Sequence, residues 1–183
     1  MRRPPRYDVP KKAPGSLLLA QEFLNTRDKE HDREWLDTPD AVRRWFGDRG
    51  IVTGRLSGAD AQLTRDVREA MREVVASGGA QAGGRAVRLL NDVADKTCVT
   101  IRFDAVGPPQ LDASARGISG ALGRVLLVAV VANLDGRWNR LKTCRNCSWA
   151  FYDYSRNCSA KWCSMTLCGN RLKTRSYYRR RRT

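Results

Sequence analysis

Apolar positions recur with the 3.6-residue period of an α-helix through most of the first 140 residues. The clearest case follows Ser57-Gly58-Ala59-Asp60, which resembles a capping box at a helix start. The apolar residues after it share one helix face: Leu63, Val67, Ala70, Met71 and Val74. Gly78-Gly79 then predicts the end of the helix.

Four more helices are expected in the same region. The first runs from Ser16 to about Thr26, and the second starts at Thr38-Pro39, a cap residue followed by proline, and ends at Gly47. After Gly83-Gly84, a shorter helix is supported by Val87, Leu90 and Ala94. A longer, Val/Leu/Ala-rich helix over about 114–133 is expected to form the core of this region.

One segment alternates with the two-residue period of a β-strand. Val99, Ile101 and Phe103 alternate with polar residues, which predicts a half-buried strand. Gly107-Pro108-Pro109 turns the chain, and residues 110–113 are expected to return as a second strand. The expected fold class is therefore α+β and mainly helical, with a short β-hairpin in a helical N-terminal domain.

Composition divides the chain into three parts. Residues 1–15 are rich in proline and basic residues, which predicts a disordered N-terminus before a helical domain over 16–139. From Arg140 to Thr183 there are twelve Lys or Arg and one acidic residue, Asp153, so this segment carries +11 of the net +15. A nearly neutral domain followed by a basic segment indicates a polyanionic partner.

The chain shows no export signal, and its longest apolar stretch, 125–132, is far shorter than a membrane span. These features predict no membrane association and a reducing, cytoplasmic location. Five of the six cysteines lie within residues 144–168. In a reducing compartment, clustered cysteines are more often metal ligands than disulfides.

The cysteine spacing predicts a structural zinc site. Cys144 and Cys147 can direct two sulfur atoms at one ion from a tight turn. Cys163 and Cys168 would point about 140° apart on one helix, so Cys163 is expected before the helix and Cys168 in its first turns. Cys158 also lies five residues from Cys163, and spacing alone therefore leaves Cys158 and Cys168 as alternative ligands.

The motifs around these cysteines resemble the CGNR zinc-finger family. The resemblance rests on four segments of the sequence: Cys144-Arg-Asn-Cys147, Phe151 to Asn157, Trp162-Cys-Ser-Met165 and Cys168-Gly-Asn-Arg171. Residues 19–36, with Glu22 to Arg27 and Glu34-Trp35-Leu36, and residues 42–50 resemble the ABATE domain, which precedes this finger in bacterial stress-induced transcription regulators.

The resemblance implies one structural Zn²⁺ held by Cys144, Cys147, Cys163 and Cys168, with Cys158 as a departure from the family pattern. It also implies a treble-clef-like finger over 140–183 that leads into a basic helix. The expected partner is double-stranded DNA, contacted by Asn170 and Arg171 at base edges and by basic residues along the helix: Lys173, Arg175, Arg179, Arg180, Arg181 and Arg182.

The N-terminal domain is expected to act as a sensing or dimerisation module. Asn25, Thr26 and Arg27 are candidates for a small-molecule effector site, and a homodimer is a further expectation. Two alternatives stay open for the finger: an RNA- or ribosome-associated protein, and a protein-interaction module, because charge does not distinguish DNA from RNA.

An enzymatic function is not expected. The segment from residue 140 contains no histidine for a second metal, and the glycine pairs lack the Lys-Ser/Thr of a phosphate-binding loop. No Ser/His/Asp or paired-carboxylate arrangement stands out. The sequence therefore favours a cytoplasmic, nucleoid-associated regulator.

Overall fold

Helices form most of the N-terminal domain, which we call the body. The computed structural model describes residues 11–78, 81–103 and 105–170. The helices of the body within these ranges are α1 Leu17–Leu24, α2 Pro39–Gly47, α3 Gly58–Ser77, α4 Gly84–Ala94 and α5 Gly117–Leu134. All five predicted helices are confirmed, and α5 begins a few residues later than expected.

Side-chain caps fix the starts of α2 and α3. The Thr38 hydroxyl accepts a hydrogen bond from the Ala41 N–H at 3.2 Å. The Ser57 hydroxyl accepts from the Asp60 N–H at 3.2 Å, and the Asp60 carboxylate accepts from the Ser57 N–H at 2.7 Å. This reciprocal pair is the predicted capping box. Gly78 ends α3 in the left-handed conformation, at φ 60°.

The core of the body lies where α1, α3 and α5 meet. Its largest fully buried side chains include Phe23 and Phe46, and the ring centroids of Phe23 and Trp45 are 5.5 Å apart. By length and composition α5 could cross a membrane. However, Leu122 and Val125 on its inner side are completely buried in this core. The helix therefore has the role expected for it, as the central helix of the body.

Three antiparallel hairpins complete the described fold. β1 (Arg27–Asp28) pairs with β2 (Arg33–Glu34), β3 (Val99–Arg102) with β4 (Gln110–Ala113), and β5 (Leu141–Thr143) with β6 (Ala150–Tyr152). The second hairpin confirms the predicted strand pair. The first was not expected, because its two-residue strands are too short for a visible alternation.

The predicted half-buried face of one strand is wrong, and α4 buries residues that the sequence analysis did not name. Val99, Ile101 and Phe103 are exposed rather than half-buried, since no element among the described residues covers that side of the hairpin. On α4, Val87 is exposed, and the helix instead buries Ala86 and Val93. In both cases the spacing of apolar residues correctly predicted the strand or helix, but tertiary packing determined which of its side chains are buried.

The described part of the predicted disordered N-terminus is packed. Ala13 is buried, and the Lys11 carbonyl accepts hydrogen bonds from the Tyr152 N–H at 3.0 Å and from the Gln21 side chain at 3.1 Å. Strand β6 and α1 thus supply partners that satisfy the backbone of residues 11–15. The prediction of disorder is wrong for these five residues, and residues 1–10 lie outside the described ranges.

The C-terminal finger packs directly on the body. The Asn25 amide at the end of α1 donates to the Ala150 carbonyl at 2.9 Å and accepts from the Ala150 N–H at 2.7 Å. Gln21 donates to the same carbonyl at 3.1 Å. Leu141, Ala150 and Tyr152 belong to the core cluster of the body. The core of the body therefore extends across the chain boundary at residue 140 into the first hairpin of the finger.

Buried arginines on α3 connect the same region. Arg68 forms a two-pronged ion pair with Glu34, at 2.6 and 2.7 Å. Arg72 donates to the Ser148 carbonyl in the finger at 2.7 Å and also to the Leu24 carbonyl at the end of α1. Burial opposes ionisation of Glu69, but Arg72 and the hydrogen bond from Lys29 lower the pKa of Glu69 to about 2. Charge compensation therefore allows α3 to bury two guanidinium groups.

Replacement of Asn25 tests the contact between body and finger. We expect Asn25→Ala to lower the free energy of unfolding by about 2 kcal/mol, because the buried Ala150 N–H loses its side-chain acceptor and the Ala150 carbonyl keeps only the Gln21 donor. Urea titration of the zinc-loaded protein measures this loss. Asn91→Ala, at an exposed position of α4, is the matched control and should change stability by less than about 0.5 kcal/mol. Equal effects of the two substitutions would contradict the assignment.

Candidate metal centre and nucleic-acid interface

The sulfur atoms of Cys144, Cys147, Cys163 and Cys168 form one cluster. All four lie within 4.8 Å of one another. The sulfur of Cys168 is 3.6 Å from those of Cys147 and Cys163, and these two are 3.7 Å apart. Four thiolates around a tetrahedral zinc at 2.3 Å would be about 3.8 Å apart. The separations therefore match one structural zinc ion.

The first two ligands come from the turn of the β5–β6 hairpin. Cys144 follows β5 directly, and its N–H donates to the Trp149 carbonyl at 2.9 Å. The Ser148 N–H returns a hydrogen bond to the Cys144 carbonyl, also at 2.9 Å. Ser148 has a φ of 61°, which closes this turn tightly. The hairpin thus directs the side chains of Cys144 and Cys147 to the same point.

The other two ligands flank the start of a short helical segment. Ser164 caps this segment by accepting a hydrogen bond from the Leu167 N–H at 3.3 Å. Met165–Gly169 form one π-helical turn that contains Cys168, while Cys163 precedes the cap. The predicted placement of Cys163 before the helix and Cys168 in its first turn is confirmed. Hairpin, loop and helix start give the expected treble-clef-like fold.

Hydrogen bonds among the cysteine thiols shift their pKa values in opposite directions. Hydrogen bonds from Cys147 and Cys163 lower the pKa of the Cys144 thiol. Hydrogen bonding with Cys144 raises the pKa of Cys147 to about 12, and hydrogen bonding with Cys144 and Cys147 raises the pKa of Cys163. Shared protons therefore favour ionisation of one thiol and oppose it in two of its neighbours. A zinc ion supplies the positive charge that allows all four sulfurs to bind as thiolates.

Asn146 is a residue of this centre that the sequence analysis missed. Its side-chain amide donates to the sulfur of Cys168 at 3.6 Å, joining the hairpin turn to the helix start. Such a donor stabilises a thiolate and orients it toward the metal. The sequence does place this amide side chain between two expected ligands, Cys144 and Cys147, which could have indicated its role.

Aromatic side chains pack around the cysteines, as expected. Trp149 and Phe151 are buried in one cluster with Cys144, Cys163 and Cys168. Gly169 lies so close to Trp162 that a Cβ atom there would be 3.3 Å from the ring, and only 2.8 Å from the Met165 sulfur. The glycine after Cys168 therefore allows the helix start to pack closely against this cluster.

Cys158 lies outside the metal cluster. Its sulfur is 3.6 Å from the Asn139 carbonyl, and its backbone has a φ of 49°. The group that could hold a metal among the described residues contains Cys168 instead. Geometry thus decides between the two cysteines that spacing had left as alternatives.

The acidic residue of the finger is completely buried. The Asp153 carboxylate accepts hydrogen bonds at 2.8 Å from the Lys142 ammonium group and from the N–H groups of Ser155 and Ala160. Burial opposes its ionisation, but these hydrogen bonds lower its pKa. The exposed charges of the described finger, which include Arg145, Arg156 and Lys161, are consequently basic.

The expected nucleic-acid residues fall mainly outside the described ranges. Asn170 is exposed and follows the turn that carries Cys168. The other expected contacts lie beyond residue 170 and outside the described residues: Arg171, Lys173, Arg175, Arg179, Arg180, Arg181 and Arg182.

The candidate effector residues have structural contacts instead of a common cavity. Asn25 is paired with Ala150, and the Thr26 hydroxyl donates to the Phe23 carbonyl at 2.7 Å and accepts from Arg68 at 3.1 Å. Arg27 forms an ion pair with Asp32 near the surface. The polar groups of Asn25 and Thr26 are therefore used within the fold.

A groove of about 790 Å³ lies between the body and the finger. The C-terminal end of α3, including Ser77, forms one side, and the finger forms the other. Lys142, Arg145 and Lys161 line it, and its described lining includes no acidic residue. This groove is a more open site for a ligand than the end of α1.

Comparison with known protein families finds two matching models. Residues 140–181 match the family described as "CGNR zinc finger", and residues 18–134 match ABATE, described as "Putative stress-induced transcription regulator". No curated protein matches the chain. The ABATE match covers more than half of the chain, and the two matches confirm the pairing and the order indicated by the sequence.

Substitution of single cysteines tests the ligand set. We expect one zinc per wild-type chain, and Cys163→Ser should lose most of it because a hydroxyl is a poor substitute for a thiolate. Elemental analysis after dialysis measures the metal. Cys158→Ser is the matched control within the finger and should keep full zinc content. Loss of zinc from the control, with retention in Cys163→Ser, would disprove the assignment.

Proposed function

The chain belongs to the ABATE family and carries a CGNR zinc finger, and we propose that it is a DNA-binding transcription regulator. In this proposal the finger contacts double-stranded DNA, and the body acts as a sensing or dimerisation module. The protein would work in the bacterial cytoplasm, at the nucleoid, as part of a stress response.

The distribution of charge in the finger is the observation that supports DNA binding most directly. The segment from Arg140 onward has one acidic side chain, Asp153, and the fold buries and neutralises it. Arg145 and Lys161 stay exposed, and their backbones are joined by a hydrogen bond of 3.1 Å from the Arg145 N–H to the Lys161 carbonyl. A polyanion can therefore approach the described finger without meeting an exposed carboxylate.

The zinc has a structural role in this proposal. Four cysteine ligands leave no open coordination position, and an open position is what a catalytic zinc needs for water or substrate. The ion instead fixes Cys168 and the exposed Asn170 that follows it. We therefore propose a binding protein without enzymatic activity.

Two kinds of DNA contact are proposed. Asn170 and Arg171 lie next to the metal in sequence, and amide and guanidinium groups can recognise adenine and guanine edges. The basic residues that follow would contact phosphates and supply affinity without reading the sequence: Lys173, Arg175, Arg179, Arg180, Arg181 and Arg182.

Binding measurements across salt concentrations test both kinds of contact. We expect Arg171→Ala to relax preference at one base pair, at a cost of about 1–3 kcal/mol. Alanine at Arg179 to Arg182 should weaken binding to all sequences and reduce the salt slope by about 3, because fewer counterions are released. Arg88→Ala, at an exposed position of α4, is the control and should bind as the wild type does.

The same measurements separate DNA from the alternatives. Fragments selected from the source genome give the duplex, and single-stranded and double-stranded RNA are the competitors. Preferential binding of the selected duplex at physiological salt supports the proposal. Equal and strongly salt-dependent binding to all three would contradict it, and preference for RNA would favour the RNA-associated alternative.

We place the expected effector in the groove between body and finger. The basic residues that line this groove favour an anionic small molecule, and its volume of about 790 Å³ is in the range of ligand sites. A ligand there would contact α3 and also Arg145 and Lys161 of the finger. It would neutralise charge that the finger otherwise offers to DNA.

Protection of Cys158 tests this site, because Cys158 lines the groove. Inorganic pyrophosphate, used as an anionic probe, should slow alkylation of Cys158 severalfold by covering its sulfur, as measured by peptide mass spectrometry. Cys98, which is exposed on the body away from the groove lining, is the internal control and should react at an unchanged rate. Equal rates at Cys158 with and without the probe would contradict an anion site here.

A further inference from the structure

The β3–β4 hairpin has one apolar face and one polar face. Its strand register places Val99 opposite Ala113 and Ile101 opposite Leu111, so these four side chains share a face. Of the four, Ala113 alone is buried, whereas Ile101 is 66% exposed. Phe103, next along the same alternation, is 77% exposed. The structure thus presents an apolar sheet face without a cover among the described residues.

The opposite face of the hairpin is polar and already paired. It carries Thr100, Arg102, Gln110 and Asp112. The Asp112 carboxylate lies 3.5 Å from Arg102 and 3.5 Å from Arg124 of α5. Apolar and polar residues therefore alternate along these strands, as they do in an antiparallel sheet that buries one face.

Helix α5 carries a second uncovered apolar surface. Leu127, Val130, Val131 and Leu134 follow the i, i+3, i+4, i+7 spacing of one helix face. Val130 is 53% exposed and Leu134 is 77% exposed, and neither belongs to the core cluster that buries Leu122 and Val125. This spacing is typical of a helix side that packs against another element.

Both surfaces belong to one packed unit. β4 packs on α5, where a Cβ atom on Gly123 would be 3.0 Å from the Ala113 Cβ and 2.6 Å from the Thr97 Cβ. The glycine therefore permits a close approach that fixes the hairpin relative to the helix. We call the combined surface the hairpin–α5 surface, and it is defined by six exposed residues: Val99, Ile101, Phe103, Leu111, Val130 and Leu134.

The exposed area of this surface is comparable to that of a protein interface. From their exposed fractions, these residues together leave on the order of 600 Å² accessible, which is at the lower end of one partner's share of a standard interface. The surface is thus large enough for a dimer.

We propose that the hairpin–α5 surface is the interface of a symmetric homodimer. A two-fold interface uses the same patch on both subunits, so an apolar surface without charged members is complementary to its own copy. A second copy would also cover a two-stranded sheet, which is marginal in stability when it stands alone.

The dimer deepens the proposed function, since it rests on the dimerisation role proposed for the body. A regulator with two fingers would contact two half-sites, while each finger keeps its own zinc. The mass of the protein in solution tests the dimer without any nucleic acid. Failure of this inference is therefore distinguishable from failure of DNA binding.

Sedimentation of the full zinc-loaded chain at micromolar to submillimolar concentration tests the interface. We expect the wild type to show twice the chain mass of 20.6 kDa. Phe103→Asp in the hairpin region and, separately, Leu134→Asp on α5 should each weaken dimerisation tenfold or more, because a carboxylate would be buried. Zinc content and helical circular dichroism show that each variant is folded.

Val52→Asp is the matched control. Val52 is 89% exposed, lies between α2 and α3, and is not part of the hairpin–α5 surface. This variant should sediment like the wild type. The proposal would be overturned if the wild-type chain stayed at monomer mass. This includes the outcome in which the monomer instead binds lipid vesicles through α5. A dimer that both interface variants leave unchanged, or a larger assembly, would also overturn it.

Discussion

Four sulfur atoms within 4.8 Å of one another impose the strongest physical constraint on this protein. Without a cation, hydrogen bonds among the thiols lower the pKa of Cys144 and raise the pKa values of Cys147 and Cys163. With zinc, the same geometry fixes a hairpin turn to the start of a helix. The finger is too short to build a large core of its own, so the positions of its described residues depend on this centre.

The finger depends on the body as well as on its metal. The Asn25 side chain forms hydrogen bonds with both backbone groups of Ala150. The Lys11 carbonyl accepts a hydrogen bond from the N–H of Tyr152, two residues further along β6. Side chains of the hairpin also complete the core cluster of the body. Two family matches in sequence thus correspond to one continuous packed structure, in which the finger that carries the metal centre packs directly on the body.

Local signals in the sequence were sufficient for the helices, because capping residues and glycines act within one turn of the helix end. They were not sufficient for burial. Arg68 and Arg72 are buried because Glu34, Glu69 and two backbone carbonyls meet them from distant positions, which no periodic pattern reveals. Similarly, alternation identified the strand at Val99 but could not show that no described element covers it. At the metal centre, spacing left Cys158 and Cys168 equivalent, and the family motif, followed by the geometry, separated them.

Arg72 gives this arrangement a thermodynamic consequence. One guanidinium group donates to the end of α1 and to the turn between the zinc ligands, at the Leu24 and Ser148 carbonyls. A conformational change that moves α1 away from α3 must therefore also strain the metal turn. Linkage is reciprocal, so any coupling free energy that this contact carries acts equally in both directions, from the packing of α1 on α3 to zinc binding and from zinc binding to that packing.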